Sequence, residues 1–122
     1  MIRKNVLGGE LKSCCQDPKT GYFRDGLCRT DDSDHGRHVI CAIVTTDFLN
    51  FSLSQGNDLI TPVPEFGFPG LNAGDRWCLC ASRWKDALEA GVAPLVDLEA
   101  TSEKALGIVT LADLIMGRSK PI

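Results

Sequence analysis

The sequence predicts an α+β fold: a single compact two-layer domain with a small, mostly antiparallel sheet and short helices. HVICAIVT (38–45), β-branched and nearly continuous in apolarity, reads as a strand covered on both faces, and RWCLCA (76–81) reads as a second central strand. Each is followed by a short helical pattern with its own cap and stop residues, which separates the strands along the chain. The 122-residue length matches one domain spanning 1–122 and suffices to bury a hydrophobic core, with residues 1–4 expected as a flexible N-terminus.

Taken in order, the first third is rich in turns. Asp17-Pro18-Lys19-Thr20-Gly21 combines a side chain that bonds forward, a fixed φ and a residue that tolerates positive φ. Asp25-Gly26 then predicts a hairpin from Tyr22-Phe23 back to Leu27, Cys28 and Arg29. A polar loop over 30–36 leads into the first strand. Thr46-Asp47 is placed to cap a helix that runs to about Gln55 and stops at Gly56-Asn57. Between Gly56 and Asp75 lies a long stretch without period, holding Pro62, Pro64 and Pro69 with Phe66 and Phe68. Loops of that length are uncommon in compact domains, and the aromatic content favours an ordered, functional loop.

After the second strand, Ser82 is placed to cap a helix that presents Trp84, Ala87 and Leu88 on one face and ends at Gly91. Residues 95–98 suggest a third strand, and Thr101 a short helix through Leu106. Thr110 and Asp113 form a capping-box-like pair for a final helix, with Val109 placed to staple against Leu114.

Composition narrows the functional classes. A net charge of −3 gives no electrostatic footprint for nucleic acid or anionic membrane. The sequence shows no apolar run long enough for a signal peptide or a membrane span, so a cytoplasmic setting is expected. In that setting the six cysteines, Cys14, Cys15, Cys28, Cys41, Cys78 and Cys80, read first as free thiols or metal ligands rather than a disulfide framework.

Zinc is possible at Cys14, Cys28, His38, Cys78 and Cys80, but the paired C-x2-C couples of strong zinc motifs are missing. In an extended strand Cys78 and Cys80 point to one face with Cα atoms roughly 6.5–7 Å apart. Buried structural thiols are the plainer reading of that pair. A nucleophilic cysteine needs a base, and only His35 and His38 are available. The loop from Asp31 to Gly36 fails as a calcium loop, because Ala42 falls where the motif needs Glu.

The preferred site lies between the 56–75 loop and the ends of the two central strands. Phe66, Phe68 and Trp77 supply apolar walls; Arg24, Asp25, Glu65, Asp75 and Arg76 supply polarity. The plain alternative is that these charged groups bond backbone amides and fix loop shape.

The blocks DPKTGYFRDGLCRT (17–30), PEFGFPGL (64–71), GDRWCLCA (74–81) and AGVAP (90–94) resemble a family of small, mainly bacterial proteins, domain of unknown function 2237. The resemblance runs from about Asn5 onward and implies a stand-alone α+β domain in a compact two-layer arrangement, with no assigned activity. Ser102 stands where the family commonly has histidine, which weakens any proposal relying on that histidine. The leading functional expectation is therefore a small-molecule-binding or enzymatic domain. A protein-interaction module using the aromatic loop is the first alternative. A metal- or thiol-dependent protein using Cys14, Cys28, Cys78 and Cys80 is the second.

Overall fold

A computed structural model describes residues 3–16, 20–31, 33, 34 and 37–118. The expected turn at Asp17, Pro18 and Lys19 lies outside them. The fold is mixed α+β around a three-stranded antiparallel sheet: β1 (His38–Ile43), β2 (Arg76–Cys80) and β3 (Leu95–Val96) in the order β2-β1-β3. The sheet is joined by α1 (Thr46–Ser54), α2 (Ala81–Glu89), α3 (Leu111–Arg118) and 3-10 turns at Pro64–Phe66, Leu98–Ala100 and Glu103–Gly107.

Both central strands form where apolar patterning places them. Their alternation gives the sheet two different faces. Ile40, Ala42, Trp77 and Leu79 belong to the larger core with Phe48, Leu49, Trp84 and Ala87 from α1 and α2. Fully buried Trp84 donates its indole N–H to Pro94 O at 3.1 Å, so its one polar atom is satisfied. Cys41 and Cys78 join a second, smaller cluster with Cys14, Cys28 and Ala100.

The Cys41–Cys78 pairing explains how that second cluster is built. Cys41 N donates to Thr101 Oγ1 (3.1 Å), and Cys78 N donates to Thr20 Oγ1 (2.8 Å). Neither amide is spent between β1 and β2, so these cross-strand partners form a non-hydrogen-bonded pair, the kind whose side chains lie closest. Each cysteine is nonetheless bridged to the N-terminal segment rather than to the other. The disulfides are Cys14–Cys41 and Cys28–Cys78, with Cα–Cα distances of 5.6 and 5.2 Å. The expectation of free thiols is thus corrected for four of the six cysteines; Cys15 and Cys80 remain free. Sequence spacing holds no trace of this pairing, because the partners are 27 and 50 residues apart.

The predicted hairpin at 22–29 does not form a ladder among the described residues. Its backbone is claimed elsewhere: Gly26 O accepts from Cys14 N (2.7 Å), and Gly26 N donates to Thr20 O (2.8 Å). Caps also move by a residue or two. Thr45, not Thr46, caps α1 by accepting from Phe48 N at 3.1 Å. Cys80, not Ser82, is the N-cap of α2, because β2 feeds the helix with no intervening turn. The short helix expected from Thr101 forms as the 3-10 turn Glu103–Gly107 and is capped by Ser102, whose Oγ accepts from Lys104 N at 3.2 Å, while the Thr101 hydroxyl is shared between Cys41 N and Asp97 O (2.8 Å). The Thr110–Asp113 capping box forms as predicted, with Asp113 N donating to Thr110 Oγ1 at 3.0 Å.

The 56–75 loop is ordered by its own backbone. Leu71 N donates to Leu59 O, and Val63 N to Phe68 O, each at 2.8 Å. Gly70 sits at φ +80, where a Cβ would stand 2.3 Å from Ile60 O, so the crossing closes only on glycine.

Denaturation without reductant should expose two titratable thiols, assigned by peptide mass spectrometry to Cys15 and Cys80, and six after reduction. Reducing either bridge should cost about 3.5–4 kcal/mol of unfolding free energy, the chain-entropy value for loops of 27 and 50 residues, read from urea midpoints. Six reactive thiols before reduction would refute the pairing.

Candidate functional site

Two clefts run beside β2, one of the sheet's two edge strands. The first, of about 300 Å³, is lined by Tyr22, Arg24, His38, Asp58, Leu59, Val63, Phe66, Phe68 and Trp77, with Gly21 and Cys78 at its base. The Pro64–Phe66 turn and the Val63–Phe68 bridge shape its outer wall. Phe68 packs edge-on against Trp77 with centroids 5.1 Å apart. The Arg24 guanidinium lies 5.2 Å from the Trp77 ring centroid, a cation–π arrangement. Arg24 has φ 57, a left-handed conformation that costs a non-glycine residue about 1–2 kcal/mol. Among the described residues it has no carboxylate partner. Asp58 turns its Oδ1 inward to the loop, accepting from Ile60 N (2.9 Å) and Thr61 N (3.0 Å). Hydrogen bonds from Thr61 and Ile60 hold its carboxyl below the usual range.

The second cleft, of about 270 Å³, shares His38, Leu59, Trp77 and Cys78 with the first and adds Asn57, Leu79, Cys80 and Arg83. His38 thus stands at the junction. It reaches that place through a register shift between His38 and Ile40, which pairs His38 with Cys80 while Ile40 pairs with Leu79. Strict alternation would put His38 on the face of Ile40 and Ala42. The bulge instead carries it to the face of Cys78 and Cys80.

Asp34 fixes the ring. Its side chain is fully buried, and its Oδ1 lies 2.7 Å from His38 Nδ1. Its Oδ2 accepts from His38 N (2.9 Å) and from Thr30 Oγ1 (3.0 Å). The Tyr22 ring stacks over the imidazole with centroids 6.1 Å apart. Burial pushes the Asp34 carboxyl up, but the His38 hydrogen bonds, the His38 charge and the Thr30 hydroxyl together hold it below its ordinary value.

The comparison with known proteins adds a family. A family model described as an uncharacterised protein conserved in bacteria, DUF2237, matches residues 4–117. The chain belongs to the DUF2237 family. No curated protein matches it.

In this DUF2237 protein the eight residues singled out from the sequence divide evenly. Arg24, Phe66, Phe68 and Trp77 line one cleft together. Asp25, Glu65, Asp75 and Arg76 do not line it, and three of them fix local structure. Asp25 holds Arg29 Nε at 2.6 Å and Leu27 N at 3.1 Å. Asp75 accepts from Asn72 N at 2.9 Å, and Arg76 pairs with Asp97 across the sheet. Glu65 is exposed on the Pro64–Phe66 turn. The residues considered for zinc also separate. Cys14, Cys28 and Cys78 have sulfurs within 4.8 Å of one another but are tied in disulfides, whereas His38 and Cys80 line the second cleft. Sequence reasoning missed Tyr22, Asp34, Asp58 and Leu59. For Asp34 a signal existed: it lies four residues before the histidine it holds.

Because Asp34 is depressed in the folded protein, its stabilisation is full above the unfolded carboxyl value of about 3.9 and disappears as pH falls through the lower folded value. Thermal midpoints of the wild type and Asp34→Asn should therefore differ at neutral pH and converge on acidification. A difference that is constant across that acid range would show the carboxylate charge to be irrelevant.

Proposed function

We propose that this DUF2237 protein binds a small, largely apolar molecule carrying a carboxylate, seated between the 56–75 loop and β2. The carrying observation is the Arg24 guanidinium, held over Trp77 at the mouth of an aromatic cleft with no acidic partner among the described residues. An apolar cleft with one convergent charge orients a ligand by that charge and holds it by area. A volume near 300 Å³ falls at the lower end for small-ligand sites, which supports a compact ligand. The interaction-module alternative has narrower support. Phe66 is 75% exposed at the loop tip, while Phe68 and Trp77 turn inward at 7% and 8%.

A cytoplasmic setting belongs to this proposal. Among the described residues no helix is long and apolar enough to cross a membrane. Disulfides are rare in reducing compartments, and what supports keeping these two there is burial: no bridged cysteine exceeds 4% exposure.

Trp77 and Trp84 give the binding proposal an internal control. Saturable quenching of tryptophan fluorescence by a panel of aromatic carboxylates should come from Trp77, since Trp84 is fully buried. The Trp77→Phe variant should remove the signal. Arg24→Gln should weaken the carboxylates about tenfold, ~1.4 kcal/mol, and leave the matching neutral amides unchanged. Equal affinity for acids and amides would overturn the role of Arg24.

One observation favours a second reading, a soft-metal site in the reduced protein. Three sulfurs already lie within 4.8 Å, and reduction of the bridges would free them as ligands. Reduced protein titrated with zinc should bind one equivalent and recover stability lost on reduction. No recovery, with thiols still freely alkylated in zinc, would remove that reading.

A further inference from the structure

We infer that Cys80 is the nucleophile of an acyl-transfer site, with His38 as its base and Asp34 as the residue that positions His38. The substrate class is an activated acyl compound, a thioester or ester. This inference goes beyond ligand binding in the aromatic cleft and stands without it.

Four placements carry it. Cys80 is free, half-buried, and lines the second cleft with His38. The two are cross-strand partners on one face, and directly opposite residues in a regular ladder have Cβ atoms about 4.5–5.5 Å apart. His38 Nδ1 lies against the buried Asp34 carboxylate, which can only accept, so the neutral ring carries its proton on Nδ1 and presents Nε2 as the acceptor. Among the described residues Nε2 makes no hydrogen bond. This nucleophile–base–orienter order is the logic of catalytic triads, in which the third group fixes the tautomer of the second.

The backbone around Cys80 supplies the remaining part. Cys80 ends β2 and caps α2 without making a side-chain cap bond, so its sulfur is not spent on the helix. Its Sγ lies 3.2 Å from Ser82 Oγ, a hydroxyl able to donate to it. Ala81 N is used by Arg37 O at 3.1 Å. The next amides, of Ser82 and Arg83, are those that helix geometry leaves without an intrahelical partner. They offer donors for charge developing on a carbonyl oxygen beside Cys80. A nucleophile at a strand-to-helix junction, next to such amides, is the arrangement acyl-transfer enzymes use.

The chemistry balances with water as the only co-reactant. Cys80 Sγ bonds to the acyl carbon as its proton passes to His38 Nε2. The bond to the leaving thiol or alcohol breaks, and His38 returns the proton to it. Water then attacks the acyl-cysteine, His38 takes a proton from the water, and the Cys80 thiolate leaves and regains that proton. The net change is acyl compound plus water to carboxylic acid plus thiol or alcohol.

The test uses disulfide-intact protein, in which Cys15 is the internal reference thiol. With p-nitrophenyl acetate, acetylation located by peptide mass spectrometry should fall on Cys80 about 100-fold faster than on Cys15, the scale of general-base assistance. His38→Gln should bring Cys80 to the rate of Cys15, and Cys80→Ser should abolish the fast adduct. Cys15→Ser should leave the fast adduct intact. Ring-nitrogen chemical shifts should show the His38 proton on Nδ1, a preference that Asp34→Asn loses. Iodoacetamide gives a second measurement that needs no acyl specificity and should show the same His38 dependence. Equal reactivity of Cys80 and Cys15 in the wild type, or a Cys80 rate unchanged by His38→Gln, would overturn the assignment.

Discussion

The structure depends on one cross-strand pair. Cys41 and Cys78 face each other without ladder hydrogen bonds between them, and each reaches outward to a cysteine of the irregular first third. α1 and α2 pack in the larger core with Ile40, Ala42, Trp77 and Leu79, whereas Cys41 and Cys78 pack with Cys14, Cys28 and Ala100. A chain segment without regular hydrogen bonding packs poorly as a layer, because its amides must find separate partners. Two bridges and two buried threonine hydroxyls, Thr20 and Thr101, provide the attachment that periodic packing provides elsewhere.

That attachment has consequences for the clefts. Cys28–Cys78 ties the 20–31 segment to β2, and with it Tyr22 and Arg24, which form one wall of the aromatic cleft. Thr20 satisfies an outward amide of β2, an edge that would otherwise be open to another chain. The opposite wall comes from the 56–75 loop, closed by the Gly70 crossing and the edge-on contact of Phe68 with Trp77. Neither wall is an α-helix or a strand of the sheet, yet both are fixed.

A single register shift decides which side chains meet at the junction of the clefts. Without the extra residue between His38 and Ile40, the imidazole would point into the aliphatic core, where no partner for it is found. With it, His38 stands opposite Cys80 and within reach of Asp34. Positive φ at Arg37 sits directly before this bulge. Strain of that kind persists only where surrounding contacts over-determine it. Here the Asp34 carboxylate, bonded to the His38 amide and ring and to Thr30, supplies those contacts.

The sequence by itself determined the two central strands, the helices after them, the capping box at Thr110 and the ordered aromatic loop. Each of these depends on periodicity or cap chemistry within a few residues. It also named Arg24, Phe66, Phe68 and Trp77, aromatic and cationic residues that line one cleft together. Asp25, Asp75 and Arg76, which the sequence offered either as binding polarity or as groups that fix loop shape, are bonded locally to Arg29, Asn72 and Asp97. Only the tertiary structure decided which cysteines are bridged and that His38 faces Cys80. Disulfide partners are set by distances between segments far apart in the chain, and a strand's facing residue is set by a one-residue register shift. Neither leaves a local pattern for the sequence to display.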